Sequence, residues 1–217
     1  MQTATMDKSK LDNCRATYDS VADEYVRRIY DELQHKPADR ELLNHFATMM
    51  RGKGVVCDVG CGPGHVTRYL HERGAVVCGA DLSPRMIDHA RRLNPGIEFY
   101  VDNMAELNAA DGDFAAIVSF YSIVHVSRDE LPAIFQEWKR ALRPDGHLLL
   151  AFHIGDEVIH LDEWWDVPVR VDFHFFRSAE IAEMLARAGF EVEQVIERDP
   201  YPEVEHQSRR CYIIARI

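Results

Sequence analysis

The stretch Val55-Val56-Cys57-Asp58-Val59-Gly60-Cys61-Gly62-Pro63-Gly64 decides the fold of this chain. An apolar run that contains one acid leads into three glycines at alternate positions, and a helical pattern comes next. This order predicts a buried strand, a tight turn and the start of a helix. Glycine accepts backbone angles that other residues resist, and the free N–H groups at a helix start attract anionic groups.

Composition indicates one globular domain. The 217 residues are 47% hydrophobic and 28% charged, which is enough for a sizeable core. The formal net charge of −11 repels a phosphate backbone, so nucleic acid is not an expected partner. No apolar run is long enough to span a bilayer, so no membrane partner is expected, and the first residues lack a signal-peptide pattern. Five scattered cysteines favour a reduced, cytoplasmic protein without disulfides.

Apolar periodicity predicts alternating helices and strands. Helices are expected at 13–34, 38–51, 65–73, 83–93, 131–142 and 178–188, and strands at 54–59, 75–80, 97–101, 114–119, 147–152, 191–197 and 209–217. Strands that alternate with helices form parallel sheets, and such sheets bind ligands at the carboxyl ends of their strands. The stretch 143–146 predicts a turn. Residues 153–177 interrupt the alternation, and a strand over 167–176 is one option there.

The glycine spacing separates two nucleotide-binding families. Gly60, Gly62 and Gly64 form G-x-G-x-G, and His65 stands where the dinucleotide fingerprint has its third glycine. By itself, such a loop is also compatible with a purely structural turn. The form D-x-G-x-G-x-G at 58–64 resembles motif I of the class I S-adenosylmethionine-dependent methyltransferases.

This resemblance implies an α/β fold. The family has a Rossmann-like three-layer sandwich around a seven-stranded, mostly parallel sheet whose last strand is antiparallel, plus N-terminal cover helices. The pattern Y-D-x-V-A-x-x-Y at 18–25 is similar to the cover helix of small-molecule methyltransferases, although an ordinary amphipathic helix explains it equally well. The chain is expected to be a single domain over 1–217, comprising an N-terminal helical cover 1–51, a cofactor-binding core 52–152, an acceptor-side insertion 153–177, and a C-terminal helix and closing hairpin 178–217.

The resemblance also implies S-adenosyl-L-methionine as the cofactor. Asp81, at the end of the second strand, would accept hydrogen bonds from the ribose hydroxyls, and a solvated strand-end acid is the alternative. Asp102 and Met104 match positions that contact adenine, and Met86 is either a further adenine contact or a core residue. The expected cofactor contacts are Tyr25, Asp58, Gly60, Cys61, Gly62, Asp81, Leu82, Met86, Asp102, Asn103, Met104, Ser119 and Phe120.

The acceptor side is less constrained by motifs. Methyl transfer from a sulfonium is an in-line displacement, so the protein mainly aligns and desolvates the acceptor. A base is needed only when the acceptor is protonated at neutral pH, and His125 is the catalytic candidate, unless it is a loop histidine that bonds the backbone. The segment 203–210 either reaches the acceptor pocket or forms a surface turn, and the turn is favoured. The expected acceptor-binding residues are Tyr18, Tyr121, His125, His153, Trp164 and Trp165, whose rings favour a flat or apolar acceptor.

Three functions are compatible with these patterns. The first is an S-adenosylmethionine-dependent methyltransferase acting on a small molecule, similar to the group that includes ubiquinone and menaquinone biosynthesis enzymes. The second is a non-catalytic protein that binds the same cofactor. The third is a nicotinamide-dependent oxidoreductase, which Asp58, His65 and the lack of a Y-x-x-x-K pair disfavour. No metal site is expected, because the histidines have no ligand spacing, and a homodimer is compatible with the sequence.

Overall fold

The computed structural model describes residues 7–217, so residues 1–6 of the predicted cover lie outside the described part of the chain. The helices are α1 Lys8–Ile29, α2 Pro37–Met50, α3 His65–His71, α4 Pro84–Leu93, α5 Leu131–Ala141 and α6 Ser178–Ala188. The strands are β1 Val55–Val59, β2 Val76–Asp81, β3 Glu98–Val101, β4 Phe114–Phe120, β5 Leu142–His153, β6 Val158–Trp164, β7 Val167–His174, β8 Glu191–Arg198 and β9 Arg210–Arg216. Short 3-10 turns cover Glu32–His35 and Ile123–His125.

Seven strands form one sheet in the order β3-β2-β1-β4-β5-β9-β8. β9 is antiparallel to both of its neighbours, and the remaining pairs in this sheet are parallel. The predicted Rossmann-like α/β fold, including its reversed last strand, is confirmed. The strand order changes direction at β1, between β2 and β4, and such a switch point leaves a crevice at the carboxyl ends of the strands.

Both faces of the sheet are covered, which gives three layers. Alternate residues of a strand point to opposite faces. In β5, Leu148, Leu150 and Phe152 belong to the apolar cluster formed with α5 and α6, whereas Leu149 and Ala151 belong to the cluster formed with α2 and α3. A strand that is buried on both faces is therefore a continuous apolar run in the sequence, as 148–152 is.

The first helix differs from its prediction at both ends. α1 begins at Lys8 rather than at residue 13, because Asp7 caps it by accepting the Ser9 N–H at 2.9 Å. It ends at Ile29, five residues before the predicted end, and the 3-10 turn that follows leads into α2. Within residues 7–217, no helix combines the length and the apolar character needed to cross a membrane.

Residues 153–177 contain a hairpin that is separate from the main sheet. β6 and β7 pair antiparallel through a turn at Trp165 and Asp166, whose φ values are 54° and 64°. The strand predicted over 167–176 is confirmed as β7, but it does not extend the main sheet. The hairpin lies against α1, where Thr17 Oγ1 donates to the carbonyl of Arg170 at 3.4 Å and accepts its N–H at 3.3 Å.

The turn predicted at 143–146 is wrong. β5 begins at Leu142, and the extra residues form a bulge in its pairing with β4. Asp145 takes a φ of 60° there, which is why the local sequence has the character of a turn.

Candidate active site

A cleft opens at the carboxyl ends of β1, β2 and β4 and is covered by α1. It encloses about 980 Å³ including its open mouth, a size typical of sites for cofactors and small molecules. Parallel strands end at one edge of the sheet, so residues that are distant in sequence meet there. Ten of the predicted cofactor contacts line the cleft, namely Tyr25, Gly60, Cys61, Gly62, Asp81, Leu82, Asp102, Asn103, Met104 and Phe120.

The three loop glycines are needed for different reasons, although all have positive φ. A Cβ on Gly60 would lie 2.3 Å from the Cβ of Ser122, and a Cβ on Gly64 would lie 2.7 Å from an aromatic ring. A Cβ on Gly62 would meet only the ring of Tyr25, at 3.8 Å. Packing therefore requires glycine at the first and third positions, and the middle glycine presents its backbone to the cleft.

Asp81 connects the glycine loop to the start of α4. Its Oδ2 accepts the N–H of Gly62 at 2.8 Å, and its Oδ1 accepts the N–H of Ser83 at 2.8 Å. Burial raises the pKa of Asp81 to about 6, although both N–H groups favour the charged form. Each carboxylate oxygen has a second lone pair, so Asp81 can still accept a hydrogen bond from a ligand in the cleft.

The loop after β3 forms the opposite side of the cleft. The carboxylate of Asp102 accepts the N–H groups of Asn103 and Asn108, both at 2.9 Å. Trp138 Nε1 on α5 donates to the carbonyl of Met104 at 2.9 Å. These bonds hold the loop in place, so the side chains of Asp102, Asn103 and Met104 have a fixed position in the cleft wall.

Three predicted cofactor contacts do not line the cleft, which corrects the sequence-based expectation. Asp58 is buried and accepts the hydroxyl of Thr67 at 2.7 Å, and burial raises its pKa to about 6. Met86 is fully buried on α4. Ser119 is buried and hydrogen-bonded to Ser122, the residue that packs against the glycine loop. Strand alternation turns Asp58 and Ser119 into the interior, and Met86 lies on the buried face of α4, so all three support the walls of the cleft from behind.

Helix α1 lies across the cleft and is bonded to α4. Asp19 accepts the hydroxyl of Ser83 at 2.6 Å, and Asp23 is 2.7 Å from Nε2 of His89. The hydroxyl of Tyr30 donates to Asn94 at 2.6 Å. The helix therefore lies over the cleft, and whether it covers a bound cofactor stays a prediction.

A second cavity adjoins the cleft on the side of the hairpin and the loop before β9. Of the predicted acceptor-binding residues, Tyr18, Tyr121, His153 and Trp164 line it, whereas His125 lines the first cleft. Trp165 lines neither, because it occupies the hairpin turn and packs on Trp164 with their ring centroids 4.7 Å apart. Five residues line both spaces and mark their junction, namely Tyr18, Tyr25, His65, Phe120 and Tyr121.

Tyr18 and His125 form a hydrogen-bonded pair at this junction. Nδ1 of His125 lies 3.0 Å from the carbonyl of Asp172, which can only accept, so Nδ1 carries the proton. Nε2 is then an acceptor and takes the hydroxyl proton of Tyr18 at 2.6 Å. Burial lowers the pKa of His125 to about 4, so the ring is neutral at physiological pH.

Sequence reasoning missed the charged wall of the second cavity. Glu32, Lys36 and Arg210 line it, together with residues 202–207. The segment 203–210, expected as a surface turn, therefore contributes to this cavity instead. Its only signal in the sequence was a mixture of charges before the last strand, since no motif links residues from three separate parts of the chain.

The sequence comparisons agree with the loop geometry. Residues 56–146 match the family model described as a methyltransferase domain. A Mycolicibacterium smegmatis protein named "probable S-adenosylmethionine-dependent methyltransferase" is 28% identical over 170 residues, which cover 77% of this chain and 58% of that protein. The malonyl-[acyl-carrier protein] O-methyltransferase of Enterobacter lignolyticus is 30% identical over 136 residues, covering 63% of this chain and 52% of that protein. The chain thus spans little more than half the length of these relatives.

Solved structures agree with the fold. The 1,6-didemethyltoxoflavin-N1-methyltransferase of Burkholderia thailandensis, with its substrate and S-adenosylhomocysteine bound, superposes with a TM-score of 0.75 at 21% identity. The superposition covers 100% of this chain and 92% of that one. In its glycine loop, its sheet order and the family match over residues 56–146, the chain is similar to the class I S-adenosylmethionine-dependent methyltransferases.

Proposed function

We propose that this chain transfers a methyl group from S-adenosylmethionine to a small-molecule acceptor by in-line displacement. The observation that carries this proposal is the junction of the two spaces, where Tyr18, Tyr25 and Tyr121 stand in both walls. A donor in the cleft and an acceptor in the second cavity would meet there without crossing solvent. Such alignment and exclusion of water are the main contributions that a protein makes to this reaction.

The cleft residues fit the proposed cofactor. S-adenosylmethionine supplies a methyl group that is already activated on its sulfonium. Asp81 would accept the ribose hydroxyls with the lone pairs that Gly62 and Ser83 leave unused. Asp102 would accept the adenine amine, and the backbone at Gly62 would lie along the methionine part.

Tyr18 and His125 would handle a proton if the acceptor carries one. Tyr18 lines the junction, and its hydroxyl donates to Nε2 of His125, the unprotonated nitrogen of a neutral ring. A proton removed from the acceptor would pass to Tyr18 while the Tyr18 proton passes to Nε2, leaving a neutral tyrosine and a histidinium. Within residues 7–217, no group of three or more His, Cys, Asp or Glu side chains is arranged to hold a metal ion.

The acceptor class is supported by the relatives' names, which specify malonyl-[acyl-carrier protein] and 1,6-didemethyltoxoflavin. The narrower likeness to quinone-biosynthesis enzymes, the homodimer and the cytoplasmic location stay predictions. We also propose that the chain acts as the single domain described above, with α1 and α2 as cover and the hairpin β6–β7 as the acceptor-side insertion.

Calorimetry tests the proposal against its two alternatives. We expect S-adenosylhomocysteine to bind and NADH not to bind. NADH binding without S-adenosylhomocysteine binding would replace the methyltransferase by an oxidoreductase. A non-catalytic protein would bind the nucleoside but would transfer no label from methyl-tritiated S-adenosylmethionine to any member of an acceptor collection, and the presence of a second cavity argues against this outcome.

A further inference from the structure

The polar end of the second cavity is a buried ion network. Its formal charges cancel, so the way the charges are paired decides what this end can bind. The network consists of three cations and three carboxylates, namely Lys36, Arg198 and Arg210 with Glu32, Asp39 and Glu205.

Two of the cations have carboxylate partners at close distance. Arg198 pairs with Asp39 at 2.6 Å and contacts both carboxylate oxygens of Glu205. Lys36 pairs with Glu32 at 2.7 Å and lies farther, at 3.5 Å, from Glu205. Arg198 therefore takes up two of the three carboxylates.

Arg210 has no carboxylate of its own. Its Nη1 donates to the carbonyl and the hydroxyl of Ser208, which are both neutral. Its Nε lies 3.2 Å from Glu205, which Arg198 already binds, and it has no aligned hydrogen-bond acceptor among the described residues. The side chain is only 3% exposed, and a buried guanidinium with unused N–H groups is costly unless an acceptor reaches it.

Tyr121 connects this end of the cavity to the junction. The Lys36 Nζ and the Arg210 Cζ lie 5.7 Å and 5.8 Å from the centroid of its ring. Its φ of 60° is unusual for a residue that is not glycine, and such backbone strain concentrates at functional sites. Both cations thus lie against the ring of a residue that lines both spaces.

We propose that this end of the cavity binds an anionic group of the acceptor, a carboxylate or a phosphate monoester, on Arg210 with Lys36 beside it. The inference rests on the proposed function, because it assigns a substrate class to the same site. A guanidinium binds planar carboxylates and phosphates through parallel N–H groups, and an ammonium adds a point charge. Tyr18, Trp164 and Phe173 line the rest of the cavity and would hold an apolar body. The inferred acceptor is therefore a small molecule with one anionic group and an apolar body.

Three carboxylates line the cavity; Glu203 is exposed, and the two at the polar end do not favour a cationic acceptor. Burial disfavours the charged form of Glu32, but His65 and Lys36 outweigh it and lower its pKa to about 2. Glu205 likewise has a lowered pKa, since Arg198 outweighs its burial. Both carboxylates are ionised and already occupied by protein donors, so they offer little to a ligand.

The test uses four ligands with the same ring and different charges: benzoate, phenyl phosphate, benzamide and benzylamine. Each is titrated by calorimetry into the full chain saturated with S-adenosylhomocysteine. We expect the two anions to bind and the neutral and cationic ligands to bind more weakly or not at all. Comparison of benzoate with phenyl phosphate then distinguishes a carboxylate from a phosphate acceptor.

Arg210→Gln should weaken the binding of the preferred anion about tenfold or more, as expected for a lost charged hydrogen bond. Arg209→Gln is the matched control. Arg209 is the neighbouring residue, but its side chain is 55% exposed and pairs outward with Glu197. Arg210→Lys keeps the positive charge but lacks the parallel N–H groups of the guanidinium, so it should give an intermediate loss of anion affinity. Unchanged S-adenosylhomocysteine affinity in each variant shows that the chain is folded.

Three results would overturn the inference: no anion binds to the wild type, benzamide or benzylamine binds as well as benzoate, or the Arg209 and Arg210 variants lose equal affinity. A failure of the proposed function is distinguishable from these, because S-adenosylhomocysteine itself would then not bind.

Discussion

Buried carboxylates at the ends of strands dominate the chemistry at the scale of single residues. Asp58 and Asp81 are both buried enough to raise their pKa values to about 6, yet only Asp81 lines the cleft. The same residue type therefore serves two purposes: Asp58 bonds a neighbouring helix, and Asp81 lines the cleft. The direction of the side chain relative to the sheet edge decides which.

Asp81→Asn should weaken S-adenosylhomocysteine binding about tenfold or more, because hydrogen bonds to a charged acceptor are lost. For the wild type, affinity should fall as the pH drops below about 6, since protonation of Asp81 removes the charged acceptor. Calorimetry between pH 5 and pH 8 measures both effects. Asp88→Asn, at an exposed position of α4, is the control. Equal affinities of the two variants would contradict the ribose assignment.

Tyr18→Phe removes only the hydroxyl that bonds His125, so S-adenosylhomocysteine affinity should stay nearly unchanged. For an acceptor that must lose a proton, kcat should fall about a hundredfold, as is typical of general base catalysis. At saturating S-adenosylmethionine, wild-type turnover should be flat down to about pH 5, because His125 has a pKa of about 4 and stays neutral above it. S-adenosylhomocysteine release measures turnover.

Tyr30→Phe is the control: Tyr30 follows α1, bonds Asn94 at the end of α4 and lies outside both cavities, so this variant should keep full turnover. If both tyrosine variants retain wild-type kcat with a protonated acceptor, the proton-transfer role of Tyr18 is wrong.

At the scale of elements, one buried bond joins the first strand to the helix that follows it. The hydroxyl of Thr67 on α3 donates to the carboxylate of Asp58 on β1, across the glycine loop. The bond fixes the angle between the strand and the helix, and so the shape of the loop between them. Asp58 thus supports the loop from the side that faces away from the cleft.

Thr67→Val should lower the free energy of unfolding by about 1.5 to 3 kcal/mol at pH 7, the range for a lost hydrogen bond to a charged group. The folded-state pKa of Asp58 lies above its ordinary value of 3.8, so protonation favours the folded state. The loss in Thr67→Val should therefore shrink as the pH falls below about 6, where the bond becomes a neutral one. Urea unfolding at pH 7 and pH 5 measures it.

Thr48→Val is the control, since Thr48 bonds only the carbonyl of Asn44 on an exposed face of α2. A pH-independent loss in Thr67→Val would show that its cost comes from packing and not from the carboxylate.

At the scale of the whole molecule, we expect the acidic net charge to limit the partners. The net charge of −11 should prevent binding to the phosphate backbone. Titration of labelled duplex DNA and of transfer RNA at about 0.15 M salt should show no association. Binding that weakens with added salt would contradict this prediction and direct the search for an acceptor toward nucleic acid.

The fold was largely predictable because its signals are local. Apolar runs, glycines and polar strand ends located the seven sheet strands, and only the bulge at Leu142–Gly146 and the ends of α1 were misplaced. The hairpin β6–β7 was harder to predict from the sequence, because its strands are partly exposed and the alternation between exposed and buried residues is weak.

The sequence by itself determined the class of fold, the glycine loop and the position of Asp81 at the end of a strand, since these depend on spacing within short stretches of the chain. The tertiary structure alone decided that Asp58 faces α3, that Tyr18 bonds His125, and that Lys36 and Arg210 flank Tyr121. The physical reason is that such contacts join residues far apart in the chain. Their geometry is set by how helices and strands pack, and no local pattern of side chains encodes it.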